Sequence, residues 1–204
     1  MCAVIGQPPA SEHIVEAFLI SLGVVALGEM GDKTQLLALL LATKFKRPVP
    51  LILGILTATL ANHTLAGAVG AWLAAQAGPL VMRWVIGLGF IVMGAWALIP
   101  DETDESAAKS RRGYGVYATT VVAFFLAEMG DKTQLATAAL AARFDSLVTV
   151  VVATTLGMML ANVPVVFLGD AVTRKVPLRI VRGVTAAVFV ALGVLTLLNV
   201  GHLF

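Results

Sequence analysis

An eight-residue sequence occurs twice in this chain without a change, and it carries charges into segments that are otherwise apolar. EMGDKTQL occupies residues 29–36 and again residues 128–135. Each copy holds two carboxylates and one lysine. Ionisable groups inside apolar segments are costly to bury and mark a functional site by default. A structural ion pair needs one acid and one base, whereas both copies keep an excess of acid. The repeat therefore predicts a functional site with two halves.

The rest of the chain is too hydrophobic for a soluble domain. Its mean hydropathy is +0.93, and 59% of its residues are hydrophobic while 13% are charged. A membrane-spanning helix takes about 20 residues, so six spans with short loops would use nearly all of the 204 residues. We expect an all-α integral membrane protein with six transmembrane helices. We expect no cleavable signal, because residues 1–13 contain neither Lys nor Arg.

Six apolar segments are separated by charged, proline-rich or glycine-rich breaks. The first and fourth contain the repeated motif and are longer than one straight crossing requires. Either tilt or a break near Gly31 and Gly130 would account for the extra length, and a break would expose backbone carbonyls as ligands. The approximate segments are 14–42, 51–75, 80–99, 116–142, 147–171 and 180–200.

The distribution of Lys and Arg predicts the orientation of these segments. The first, third and fifth loops are basic, whereas the opposite side holds only Arg83 and Arg143. Cytoplasmic loops carry the excess of positive charge, so both termini are expected on the non-cytoplasmic side. Trp and Tyr near the segment ends agree with this assignment. The basic loop residues are Lys44, Lys46, Arg47, Lys109, Arg111, Arg112, Arg174, Lys175, Arg179 and Arg182.

The similarity of the two halves extends beyond the motif. Leu-Ala-Asn at residues 60–62 recurs at residues 160–162, an offset of 100 residues where the motifs are offset by 99. We interpret residues 1–108 as one three-helix repeat with an N-terminal tail and an acidic linker, and residues 109–204 as the second. An odd number of spans per unit gives the units opposite orientations. Such inverted repeats are typical of secondary transporters, with the binding site at the midplane between them.

The charges of the motif predict a site that holds either a metal or protons. In a continuous helix Glu29 shares a face with Asp32 and lies four residues before Lys33, which favours an ion pair, and the second copy repeats this spacing. The four carboxylates outnumber the two ammonium groups by two. A buried charge of about −2 is unfavourable. One divalent cation or two protons would cancel it, and the two fillings exclude each other.

The donor types favour a hard cation. Carboxylate and amide oxygens suit Ca²⁺ or Mn²⁺, whereas neither copy offers the Cys or His that zinc and copper prefer. His63 is the one imidazole within an apolar segment, and either core packing or a role as ligand or proton relay remains open for it. The expected metal ligands are Glu29, Asp32, Glu128 and Asp131; the supporting residues are Gln35, Gln134, Asn62, Asn162, Thr34 and Thr133; Lys33 and Lys132 set the net charge.

At these residues the chain resembles the Gdt family of membrane cation exchangers, whose hallmark is two copies of E-x-G-D-[KR]-[ST] in six spans. Residues 29–34 and 128–133 match that pattern in full. The resemblance implies exchange of Ca²⁺ or Mn²⁺ for protons, with the motif acids binding the ion. For bacterial members it implies manganese export, and the short loops look like those of a bacterial plasma-membrane member.

We therefore expect a secondary transporter and not an enzyme, with the metal and protons as substrates. It would lie in the inner-membrane lipid bilayer and need no cofactor, nucleic acid or obligate protein partner. Three alternatives follow from the same residues: a cation channel with a carboxylate ring, an amino-acid exporter, and an intramembrane hydrolase using paired acids. Catalysis by paired acids needs carboxyl groups in distinct environments, which two identical motifs do not suggest.

Overall fold

The computed structural model describes residues 10–99, 115–144, 146–169 and 178–199. Within these ranges the chain forms eight α-helices and no strand. Prolines occupy the first turn of α3 and α4, where a missing backbone N–H costs nothing. The helices are α1 (Ala10–Glu29), α2 (Lys33–Phe45), α3 (Pro48–Gln76), α4 (Pro79–Ala97), α5 (Val116–Glu128), α6 (Lys132–Phe144), α7 (Leu147–Leu168) and α8 (Leu178–Leu197).

Four of the described helices, α3, α4, α7 and α8, are long and apolar enough to cross a membrane singly. The pair α1 and α2 forms a fifth candidate span, bent by 67° where the two helices meet. The shorter helix α5 is also apolar. The protein is therefore an all-helical, multi-pass membrane protein. The helices coincide with the apolar segments expected from the sequence, but the first and fourth segments are each divided into two helices.

The helices of the first half of the chain pack mainly against helices of the second half. Helix α3 packs against α5, α6 and α7, helix α1 packs against α7, and helix α4 packs against α8. The aromatic rings of Phe90 and Phe189 stack at 6.0 Å between α4 and α8. A Cβ added at Gly70 would lie 2.0 Å from the carbonyl oxygen of Ala138, so α3 and α6 approach backbone to backbone. Small residues permit such approaches between helices in a membrane.

Several residues used to predict the orientation lie outside the described ranges. These are the linker residues Lys109, Arg111 and Arg112, and the loop residues Arg174 and Lys175. The acidic part of the linker, residues 101–105, also lies outside them. The orientation in the membrane consequently stays a prediction.

Candidate functional site

Both copies of the motif interrupt their helix at the same position. Helix α1 ends at Glu29 and α2 begins at Lys33, while α5 ends at Glu128 and α6 begins at Lys132. The turn residues Gly31 and Gly130 have φ values of 81° and 77°. Residues other than glycine rarely adopt this left-handed region. Of the two explanations that the sequence left open for the extra length, the structure shows the break and excludes tilt of one continuous helix.

A glutamine side chain closes each break. Gln35 Oε1 accepts a hydrogen bond from the Gly31 backbone N–H at 2.9 Å, and Gln134 Oε1 accepts one from Gly130 at 2.7 Å. A helix interruption leaves backbone donors that need partners when buried. Gln35 Nε2 also donates to the carbonyl oxygen of Ala161 at 3.1 Å, which joins the first break to α7. The glutamine oxygens are thus already engaged by the backbone.

The two breaks are joined by ion pairs that run from one motif copy to the other. Lys132 Nζ lies 3.4 Å from Asp32 Oδ1, and Lys33 Nζ lies 3.5 Å from Asp131 Oδ1. The sequence predicted a pair between Lys33 and Glu29 on one helix. That prediction is wrong, because the break places these two residues on different helices and removes the i, i+4 geometry.

Three carboxylates, from both copies, converge in the core. One oxygen each from Glu29, Asp32 and Asp131 lies within 4.8 Å of the other two, and all three residues are buried. Glu128, the fourth motif acid, is fully buried but does not belong to this group of three converging oxygens. Like charges at such distances repel strongly where water is excluded. The arrangement therefore calls for cations in addition to the two lysines.

Buried oxygen atoms of the motif acids and of two asparagines lack hydrogen-bond partners within the described residues. They include Glu29 Oε1, both carboxylate oxygens of Glu128, Asp131 Oδ2, and the side-chain amide oxygens of Asn62 and Asn162. Buried acceptors are nearly always satisfied in native proteins, so a group of acceptors without protein partners fits a site that binds a cation. Carboxylate and amide oxygens are the donors that Ca²⁺ and Mn²⁺ take.

Backbone contacts orient the two asparagines so that their amide oxygens stay available. Asn62 Nδ2 donates to the carbonyl oxygen of Phe125 at 3.1 Å, and Asn162 Nδ2 donates to that of Met158 at 3.1 Å. In each asparagine, the NH₂ group thus donates to a neighbouring carbonyl and the amide oxygen does not take part in this bond. Of the four amide side chains predicted for the shell, the asparagines are the pair whose oxygens fit a cation.

The two motif threonines differ in their contacts. Thr34 Oγ1 donates to Glu29 Oε2 at 2.6 Å, which orients that carboxylate. Thr133 Oγ1 is buried and makes no hydrogen bond within the described part of the chain. His63 is fully buried, and neither of its ring nitrogens has a hydrogen-bond partner among the described residues.

Residues of α4 and α8 that the sequence did not single out also reach the site. Thr185 Oγ1 donates to the carbonyl oxygen of Leu27 at 3.0 Å, near the end of α1. The ring centroid of Trp96 lies 5.9 Å from Lys132 Nζ. Thr185 stands at the position where the first half of the chain has Ile86, 99 residues earlier. A polar residue at one of two equivalent positions, with an apolar residue at the other, was the sequence feature that could have pointed to Thr185.

Paired broken helices around buried acids in an apolar helical protein define the class of membrane transporters. The chain belongs to the GDT1 family, described as divalent cation/proton antiporters, whose family model matches residues 17–105 and 116–202. It is 46% identical over 191 residues to a protein of Vibrio cholerae serotype O1 (strain ATCC 39541 / Classical Ogawa 395 / O395) named "Putative manganese exporter", covering 93% of this chain and 94% of that protein. No solved structure matches the chain.

Family membership confirms the resemblance found in the sequence and the prediction of a transporter. The family's activity is ion exchange and not catalysis of a covalent reaction, so the hydrolase alternative is set aside. A divalent cation and protons are its substrates.

Proposed function

We propose that this protein exports Mn²⁺ from the cytoplasm in exchange for protons, by alternating access to the cluster of buried motif carboxylates. The observation that carries the proposal is the excess of negative charge in that cluster. The four buried motif carboxylates outnumber the two motif lysines by two, so one divalent ion or two protons restore neutrality. The two fillings compete for the same oxygens, so binding of one drives release of the other. The name of the Vibrio cholerae relative supports manganese as the metal.

The proposed ligands follow from which buried oxygens are available. Glu29, Asp32 and Asp131 would bind the metal directly, since their oxygens already lie within 4.8 Å of one another. Glu128 would complete the carboxylate set. Asn62 and Asn162 would add amide oxygens, because hydrogen bonds to their NH₂ groups leave those oxygens unpaired within the described residues.

The other predicted residues would act on the ligands and not on the metal. Gln35 and Gln134 would hold the breaks in shape through their bonds to the Gly31 and Gly130 amides. Thr34 would orient Glu29, and Thr133 would be available as a further donor or ligand. Lys33 and Lys132 would set the charge that the transported ion must balance, through their ion pairs with the aspartates.

The proposed architecture is six spans in two inverted repeats, residues 1–108 and 109–204. Each motif-bearing span would be a pair of helices, α1 with α2 and α5 with α6. Support comes from the break at the same motif position in both halves, followed in each half by two long helices, and from the family match in two segments of similar length. The excess of basic loop residues supports an inner-membrane orientation with both termini outside the cytoplasm.

Calcium is the second candidate substrate, because the donor set consists of oxygen atoms and Ca²⁺ accepts the same ligands. Octahedral Mn²⁺ needs six oxygens, whereas Ca²⁺ takes six to eight at longer distances. Competition between the two ions for one site would therefore rank them directly.

The test is ion flux in proteoliposomes with a pH indicator inside. Mn²⁺ movement is expected to drive opposite proton movement, and Glu29→Gln or Asp131→Asn is expected to abolish both while leaving the protein folded. Glu12→Gln is the matched control, because Glu12 is an exposed acid on the same helix as Glu29. Flux that ignores the pH gradient would instead indicate a channel, and competition by lysine would indicate an amino-acid exporter. Normal exchange by both site variants would overturn the ligand assignment.

A further inference from the structure

A small cavity of about 20 Å³ lies beside the first motif, between the α1–α2 break, the end of α4 and the beginning of α8. Asp32 and Lys132 line it together, and Arg182 and Thr185 of α8 line it as well. A space of this size holds about one water molecule. The cavity therefore reaches one of the two ion pairs that connect the motifs.

Lys132 and Lys33 are equivalent in sequence but occupy different environments. The side chain of Lys132 is 8% exposed and lies against the ring of Trp96, whereas that of Lys33 is 29% exposed. Both ammonium groups lie at almost the same distance from the aspartate of the other copy, 3.4 and 3.5 Å. Attraction between the same charges is stronger where water is more fully excluded. The pair at the cavity is thus the more tightly held of the two.

An ammonium group and a metal ion use the same feature of a carboxylate, its oxygen lone pairs. A cation in this cavity would meet Asp32 with Lys132 Nζ already 3.4 Å from its Oδ1. Binding of that cation by Asp32 would bring a second positive charge close to the ammonium where little water screens the two, and this repulsion favours movement of the ammonium away from Asp32. The positively charged side chain of Arg182, on the same cavity, adds to the repulsion that an incoming cation meets.

We propose that Lys132 is a tethered competitor for the transported cation, placed on Asp32 at the end of this cavity so that only an ion of higher charge displaces it. This inference rests on the proposed cation/proton exchange. Lys132 is here a specificity-determining residue and contributes no ligand to the metal. If Na⁺ or K⁺ replaces the Lys132 ammonium at Asp32, one single positive charge takes the place of another, and the Coulomb attraction to Asp32 does not increase. Replacement by a divalent ion gains the attraction of a second charge.

Removal of the Lys132 charge should therefore change both affinity and selectivity. Without the ammonium, the cluster has one more uncompensated negative charge, which attracts any cation more strongly. Mn²⁺ should bind more tightly and leave more slowly, and a monovalent ion should become able to occupy Asp32. A merely structural role for Lys132 predicts weaker binding of all ions or loss of the folded protein.

The test compares Lys132→Gln, Lys132→Arg and Lys33→Gln in the full-length protein. Calorimetric titration with Mn²⁺ in detergent should give a dissociation constant about tenfold lower for Lys132→Gln than for the wild type, since hydrogen-bonded charge pairs at binding sites have effects of this order or larger. NaCl, compared with an equal concentration of choline chloride, should weaken Mn²⁺ binding to Lys132→Gln alone. Lys132→Arg keeps the charge and should retain the wild-type exclusion of Na⁺. Lys33→Gln should show a smaller gain in affinity, because Lys33 is more exposed to solvent.

Unchanged Mn²⁺ affinity together with unchanged Na⁺ exclusion in folded Lys132→Gln would overturn the proposal. Should that variant not fold, Trp96→Leu provides the second test, since it removes the ring that holds the ammonium in place and should raise Mn²⁺ affinity in the same direction. Wild-type affinity in Trp96→Leu would then count against the proposal. Absence of Mn²⁺/proton exchange by the wild type would refute the proposed function instead, which separates the two failures.

Discussion

The left-handed turn at the second break offers a substitution whose cost can be worked out from the structure. Gly130 has a φ of 77°, and a Cβ built there meets no atom within 4 Å. Steric clash with neighbours therefore contributes nothing, and the cost of Gly130→Ala is the conformational penalty of placing an L-residue in this region, about 1–2 kcal/mol. In a protein of this length that corresponds to a melting temperature lower by roughly 2–8 °C.

Gly23→Ala is the matched control. Gly23 lies inside α1, its added Cβ also meets nothing within 4 Å, and its φ is not positive. Alanine there should stabilise the helix by about 0.5–1 kcal/mol, because glycine loses more backbone entropy on folding. Thermal unfolding in detergent should thus move in opposite directions for the two variants. Gly130→Asn should lose less than Gly130→Ala, since asparagine tolerates the left-handed region. Equal stabilities of Gly130→Ala and Gly23→Ala would refute a left-handed turn at the break.

Three further predictions concern packing, a buried imidazole and pH. Gly70→Ala should lower the unfolding free energy by at least about 1–3 kcal/mol, because its Cβ would lie 2.0 Å from the Ala138 carbonyl oxygen. Gly89→Ala is the control and should not lower it, because a Cβ there meets nothing within 4 Å. Chemical denaturation measures both. His63→Leu should retain Mn²⁺ transport, and its free energy of unfolding should rise by up to about 1–3 kcal/mol because two unpaired buried nitrogens are removed. Loss of transport in the folded variant would assign His63 to the ion path. Mn²⁺ at one fixed concentration, 100 times its dissociation constant at neutral pH, should stabilise the protein at neutral pH by about 2.7 kcal/mol. That gain should shrink as pH falls, since protons occupy the same carboxylates, and an equal gain at acidic and neutral pH would contradict the competition.

The helices themselves could be predicted well from the sequence. Each apolar segment became a helix or a pair of helices, because a polypeptide in a membrane must satisfy its backbone groups internally. The excess length of the first and fourth segments left tilt and a break near Gly31 and Gly130 as equal alternatives, and the structure decided for the break. The bonds that Gln35 and Gln134 make with the turns were not predicted, because both side chains were assigned from the sequence to the metal shell.

Prediction of contacts failed where it assumed a continuous helix. The spacing of Glu29 and Lys33 favours an ion pair only if both residues lie on one helix. Once the break separates them, Lys33 is directed to Asp131, 98 residues further along the chain. Thr185 reached the site for a similar reason, because packing of α8 against the end of α1 brought its hydroxyl to the Leu27 carbonyl. No local pattern encodes such a contact.

By itself the sequence determined the membrane environment, the helical class, the duplicated acidic motif and the surplus of acid over base. Those properties depend on composition and spacing, which the chain carries in any conformation. Only the tertiary structure decided which acid faces which lysine, which amide oxygens remain available for a cation, and that Lys132 borders a cavity while Lys33 does not line it. These features depend on distances of a few ångströms between helices far apart in the chain, and packing alone sets such distances.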